Sequence, residues 1–172
     1  MNGHHQILAW LETNQEIPKA LVLGWMASED ITILGALYKF TDVAWDRIHP
    51  RMQKEEICHF ILRYLKKCMI ENPEAQEYVF NRYEAGWEMA SWIKHLWSKK
   101  PETNPILQEI SATLKAMYLQ GDTAIRECIV NAVLEHAFEE KAIVDLFAEW
   151  QQDEQLKTAY QNALEWGRQY WS

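Results

Sequence analysis

Glu56 and His59 stand three residues apart. On a helix that spacing places a carboxylate and an imidazole on one face, as in carboxylate-bridged di-iron bundles. Such a centre needs a second pair of the same kind and two further inward glutamates. Asp46 and His49 imitate the second pair only loosely, and Pro50 interrupts a helix there. The expectation is therefore solvated polar side chains and no metal. Glu135-His136, with Glu139 and Glu140, forms a polar cluster at the end of a helical segment. A hydrolase would require a nucleophile or metal beside it, and none is indicated. An exposed acidic face is expected, with His136 able to make a pH-sensitive contact. Asn81, Glu84, Glu88, Ser91 and His95 recur at three- and four-residue steps. They are expected to face solvent or to pair with basic residues. The sequence contains no Gly-rich phosphate loop, no cysteine pair at zinc spacing and no Gly-x-Ser-x-Gly. No catalytic residue, cofactor or metal site is expected, and the chain is not read as an enzyme.

The elements that position these residues read as helices. Tyr78 to Trp97 is apolar around most of its circumference, as in a helix covered on several sides. It is expected to be the central helix, opened by Pro73, with at least one of Trp87 and Trp92 buried. Earlier helices are expected over His4–Thr13, from Pro18 to Ala27, from Ile31 to Phe40, and in a turn capped by Asp42. Pro50 opens a further one, Arg51 to Glu71, with Ile57, Phe60, Ile61, Tyr64, Leu65 and Cys68 inward. Asn104-Pro105 reads as a cap and a first-turn proline. The helix after it is expected to stop at Gly121 in a left-handed cap. Asp122 then caps Thr123 to Glu139, followed by Lys141–Gln151 and a helix from Glu154 capped by Asp153. Short connections favour antiparallel neighbours. The predicted class is all-α: an irregular antiparallel bundle of about eight helices in one domain, residues 1–172, with solenoid-like stacking of hairpins as a variant.

The chain of 172 residues has room for a proper core, and its nine tryptophans supply large rings for it. A few of them are candidates for anchors on a partner surface. Cys58 and Cys68 sit about 15 Å apart on one helix, too far for a disulfide. Free thiols fit a reducing cytoplasm. Residues 1–10 lack the basic and apolar regions of a signal peptide, and no apolar run approaches the ~20 residues of a membrane span. A cytoplasmic location is expected. The formal net charge is −8 and uneven. By segment it is about −4 for 1–46, +3 for 47–100, −1 for 101–121 and −6 for 122–172, an asymmetry that bears on partners. It disfavours nucleic acid, which requires a basic face. It suits a cationic protein.

Leu114 to Phe138 resembles a pattern in small helical bacterial proteins. In these a helix ends in Tyr-x-x-Gly-Asp and the next carries Asn and then Leu-Glu. Here the residues are Tyr118, Gly121, Asp122, Asn131, Leu134 and Glu135. Several proteins of this kind are taken to be immunity proteins for secreted bacterial toxins. The resemblance rests on capping and helix-packing residues, so it transfers no catalytic residue. It implies a non-enzymatic binding protein, an immunity protein that neutralises a toxin by direct contact, and the acidic last third of the chain suits a basic, nuclease-type toxin. The alternative is a helical scaffold or regulatory domain of a bacterial complex; a metal-dependent bundle enzyme ranks behind both. The expected partner face comprises Glu127, Asn131, Glu135 and Glu139, extended by Asp145 and Glu149.

Overall fold

A computed structural model describes residues 2–172. The class is all-α: 73% of the chain is helical, and the described residues form nine α-helices and a single two-stranded sheet. Two compact units divide between Asn81 and Arg82.

In the first unit, α1 (Gly3–Leu11) is capped by Asn2, whose side chain accepts from the His4 amide. Strand β1 (Ile17–Pro18) leads into α2 (Lys19–Met26) and α3 (Ile31–Ala44). Asp30 caps α3 by accepting from the Thr32 amide at 2.9 Å. Asp42 lies inside α3 and caps nothing; the 3-10 turn after it is Trp45–Arg47. Strand β2 (Ile48–His49) pairs in parallel with β1, Ile17 opposite Ile48. Helix α4 (Lys54–Glu71) starts three residues later than expected. Gln53 and Glu56 form a reciprocal capping box there, which satisfies the first free amides. Asn72 ends α4 in the left-handed region, φ 48°.

Residues 73–81 do not extend the next helix, as the sequence suggested. Tyr64 on α4 is fully buried and donates its hydroxyl to the Tyr78 carbonyl at 3.0 Å. Gly35 on α3 is the reason this carbonyl can approach. A Cβ there would lie 1.9 Å from the Tyr78 oxygen. Tyr38, Phe60 and Phe80 pack around the Tyr64 ring.

The second unit begins with α5 (Arg82–Trp97), shorter at its start than the expected central helix. Its buried side is Ala85, Gly86, Met89, Ala90, Ile93 and Leu96. Trp87 is 50% exposed and Trp92 half-buried, so neither is the core ring expected. Small residues take that place because side chains of the segment around Ala132 lie close. A Cβ on Gly86 would lie 2.6 Å from the Ala132 Cβ.

Helix α6 (Asn104–Gln120) is capped at Thr103 rather than Asn104. Gly121 is extended, φ −79° and ψ 160°, not left-handed. Glycine fits because a Cβ would meet the Met117 carbonyl at 2.6 Å. Asp122 caps α7 (Thr123–Cys128) through the Ile125 amide. The expected continuous helix to Glu139 is instead α7, a π-helix over Ile129–Leu134, and α8 (Glu135–Ala137). The Glu135 amide donates to the Val130 carbonyl, five residues back.

Lys141–Gln152 is a 3-10 helix, long for that type. Its three-residue turn brings Val144, Phe147 and Trp150 onto one buried line. Asp153 accepts from the Gln155 and Leu156 amides ahead of α9 (Lys157–Arg168). Among the described residues no helix is long and apolar enough to cross a membrane.

Candidate functional site

The helix-borne pair Glu56 and His59 is not set for metal. Glu56 accepts from the Gln53 amide at 2.8 Å and pairs with Lys19 at 2.9 Å. Those bonds, the lysine first, hold its carboxyl below the usual range. His49 lies on β2 and not on a helix with Asp46. Among the described residues no group of three His, Cys, Asp or Glu side chains could hold a metal ion. The thiols are equally unsuited to nucleophilic work. Burial pushes Cys68 up to about 11 and Cys128 up to about 12, leaving almost no thiolate at neutral pH.

The six residues of the expected partner face do not form one uniform surface. Glu127 and Asn131 are exposed, and so are Asp145 and Glu149 on the 3-10 helix. Glu149 sits 3.8 Å from Lys115. Glu135 and Glu139 are half-buried, so the row at four-residue spacing is interrupted. The π-turn is the cause. Its bond to the fifth residue back puts more than four residues into a turn, and side chains four apart drift around the helix. Burial pushes the Glu135 carboxyl up.

Glu139 is committed on both oxygens. Oε2 accepts from Lys94 Nζ at 3.0 Å, and Oε1 lies 2.9 Å from His136 Nδ1. Burial alone raises its carboxyl, but the hydrogen bonds and charges of Lys94 and His136 outweigh this and hold it low. An ionised carboxylate only accepts, so His136 Nδ1 carries the proton in this contact.

Lys94 and His136 face a shallow cleft of about 250 Å³ whose lining is completed by Trp87, Ala90 and Ser91. Helix α5 supplies the floor, because Trp87, Ala90, Ser91 and Lys94 recur at helical spacing. His136 closes the side from α8, immediately after the π-turn. Its ring also contacts Trp166 edge-on, with centroids 6.3 Å apart. Beyond the cleft, Tyr83 packs edge-on against Trp87, with 37% and 50% of the two residues exposed.

Sequence reasoning singled out Ser91, His136 and Glu139 but missed Lys94 and the exposure of Trp87. Lys94 belongs to the site only through a partner 45 residues away. The half-legible signal was small residues, Ala90 and Ser91, set between a large ring and a cation. Comparison with protein-family models, with curated proteins and with solved structures finds no match to this chain.

Proposed function

We propose that this chain is a non-enzymatic binding protein that acts by direct contact with a cationic protein, of the kind exemplified by bacterial toxins with basic, phosphate-binding clefts. The supporting observation is the state of the acids in the segment of charge −6. Glu127 and Asp145 are exposed and make no ion pair among the described residues. Exposed charges of one sign contribute little to folding, but they accelerate encounter with an oppositely charged partner and reject like-charged ones. The partner face is therefore narrower than the sequence suggested: Glu127, Asn131, Asp145 and Glu149. Glu135 and Glu139 contribute to the packing behind it.

The test begins with capture of the partner from the native cell on the full chain. Association kinetics of wild type and a Glu127→Lys, Asp145→Lys double variant then follow at low and high salt. The expected result is slower association of the variant at low salt, with the difference shrinking as ions screen charge over about 8–10 Å. Equal rates for both proteins at both salt concentrations would remove these acids from the interface.

A further inference from the structure

We propose that the cleft between α5 and α8 is a binding site for a carboxylate attached to a small flat apolar group. This goes beyond the contact surface argued above and does not depend on it. The cleft offers one exposed aromatic wall, Trp87, and a polar end formed by Ser91, Lys94 and His136.

Its hydrogen-bonding capacity is unbalanced. Lys94 carries three N–H donors and directs one at Glu139. Ser91 is exposed and its hydroxyl makes no bond within the protein among the described residues. His136 has Nδ1 against Glu139, and Nε2 becomes a second donor whenever the ring is charged. The one carboxylate present, Glu139, already uses both oxygens. The polar end thus holds more donors than the protein's own acceptors use, led by the two remaining N–H groups of Lys94, and a carboxylate supplies two acceptor oxygens that strengthen such bonds by their charge.

The volume sets the size. About 250 Å³ lies below the range of sites for drug-sized ligands. It suits a group as large as one aromatic side chain, stacked on the Trp87 ring. Two sources share this chemistry: a free aromatic acid and the C-terminal residue of a polypeptide. Two features of the fold keep the site in shape. Gly86 lets α5 approach the π-helix to a distance at which a Cβ would clash. The Glu139 bonds then tie the end of α8 to Lys94.

The experiment is a nuclear magnetic resonance titration of the full-length 15N-labelled chain, following the tryptophan indole signals. The Trp87 signal is assigned from the Trp87→Phe variant. The probes are phenylacetate, its neutral isostere phenylacetamide, and Gly-Gly-Phe with a free or an amidated C-terminus. Phenylacetate should shift the Trp87 indole with saturation on the order of millimolar, ordinary for ten heavy atoms. Phenylacetamide should bind at least about tenfold more weakly, since a charged acceptor is lost. Tighter binding of the free-carboxylate peptide than of phenylacetate identifies a chain terminus as the source. Weaker or equal binding identifies a free acid, and either result supports the shared chemistry.

Lys94→Met and Trp87→Ala should each weaken phenylacetate about tenfold or more, read for Trp87→Ala on the indole of Trp166, whose ring contacts His136. Glu139→Gln should strengthen phenylacetate binding, because the amide oxygen still accepts from Lys94 and holds α8 in place while the anion that competes for Lys94 is gone. That opposite sign separates a charge-reading site from general damage to the cleft. A thermal melt confirms that each variant is folded, and Trp87→Ala, at an exposed position, retains the test if the others are not. Equal binding of acid and amide, a weakening by Glu139→Gln, or no saturable shift of the Trp87 indole would each overturn the assignment.

Discussion

The arginines of the first unit and Lys94 of the second are used in opposite ways. In the first, arginines close the ends of helices. Arg47 donates to the Trp10 and Gln15 carbonyls, more than thirty residues away in sequence. Arg63 donates to the carbonyls of Met26, the last residue of α2, and of Ser28 beyond it, and pairs with Glu29. The Trp10 and Met26 carbonyls lie in the last turns of α1 and α2, where a helix leaves such groups without an intrahelical donor, so the charge is fixed to the backbone. In the second unit Arg126 does this once, at the Tyr118 and Leu119 carbonyls. Lys94 instead meets only side chains, in a cleft beside an exposed aromatic pair. A cation held by carbonyls is structural; one held by a single carboxylate at the surface keeps donors for something else. Lys19 of the first unit is likewise held by one carboxylate, Glu56; what sets Lys94 apart is the cleft it faces and the exposed Trp87 that lines it.

The largest expected effect tests whether the second unit has a core as firm as the first. Trp150 is fully buried beside Phe147, so Trp150→Ala should cost about 3–5 kcal/mol in denaturant melts. The lower end is expected, because its indole N–H has no hydrogen-bond partner among the described residues. Gly35→Ala should cost the first unit about 3 kcal/mol. It drives a methyl group into the Tyr78 carbonyl, and overpacking against backbone has no cheap relief.

Arg63→Met tests the arginine closures directly. A loss of about 1.5–3 kcal/mol is expected, as for hydrogen bonds to a charged group. A loss under about 0.5 kcal/mol would make Arg63 an ordinary surface residue and dissolve the contrast between the units.

Two glutamates of the second unit should respond to pH with opposite signs. Glu139 is held low, so its contribution is present above the unfolded glutamate value, about 4.3. It disappears as pH falls through the lower folded value. Glu139→Gln should therefore lower Tm near neutrality and have little effect under strongly acidic conditions. Burial raises Glu135. Its stabilising share is present below the unfolded value and is lost as pH rises through the higher folded one. Glu135→Gln should raise Tm slightly near neutrality, and that gain should vanish below about pH 4. Matching signs in the two melts would show that the environments are not distinct.

The smallest expected effect is on stability at Trp87. With half of its surface exposed, Trp87→Ala should leave the melt within about 0.5 kcal/mol of wild type while abolishing the aromatic wall of the cleft. A loss of several kcal/mol would return this ring to the core.

The all-α class was legible because capped segments with a 3.6-residue period fill the sequence. On α4 most of the inner stripe was legible: Phe60, Tyr64, Leu65 and Cys68 are buried, while Ile57 and Ile61 are half-buried and Leu62 and Met69 join the buried side. What failed depended on contacts remote in sequence. The start of α5 is displaced because Tyr64 takes the Tyr78 carbonyl across fourteen residues. The burial of Trp87 was misread because Gly86 and Ala90, its small neighbours, are the ones that admit close packing. Helical period alone cannot separate an α-turn from a π-turn, and the acidic row was drawn on the wrong one. For the site, types and spacing gave Ser91, His136 and Glu139, while Lys94 required the fold.

The π-helix over Ile129–Leu134 also bears on how the chain tolerates insertions and deletions. A π-turn is the form a helix takes when it accommodates one additional residue without shifting the segments on either side. Removing a single residue, Asn131 for instance, would let α7 run into α8 as continuous α-helix. The segments on either side would keep their facing, so His136 and Glu139 would stay against α5 and Lys94 would keep its carboxylate. Length between Cys128 and Glu135 is thus free to shrink by one residue without loss of the cleft. A search for proteins that share the site should allow for that difference in spacing.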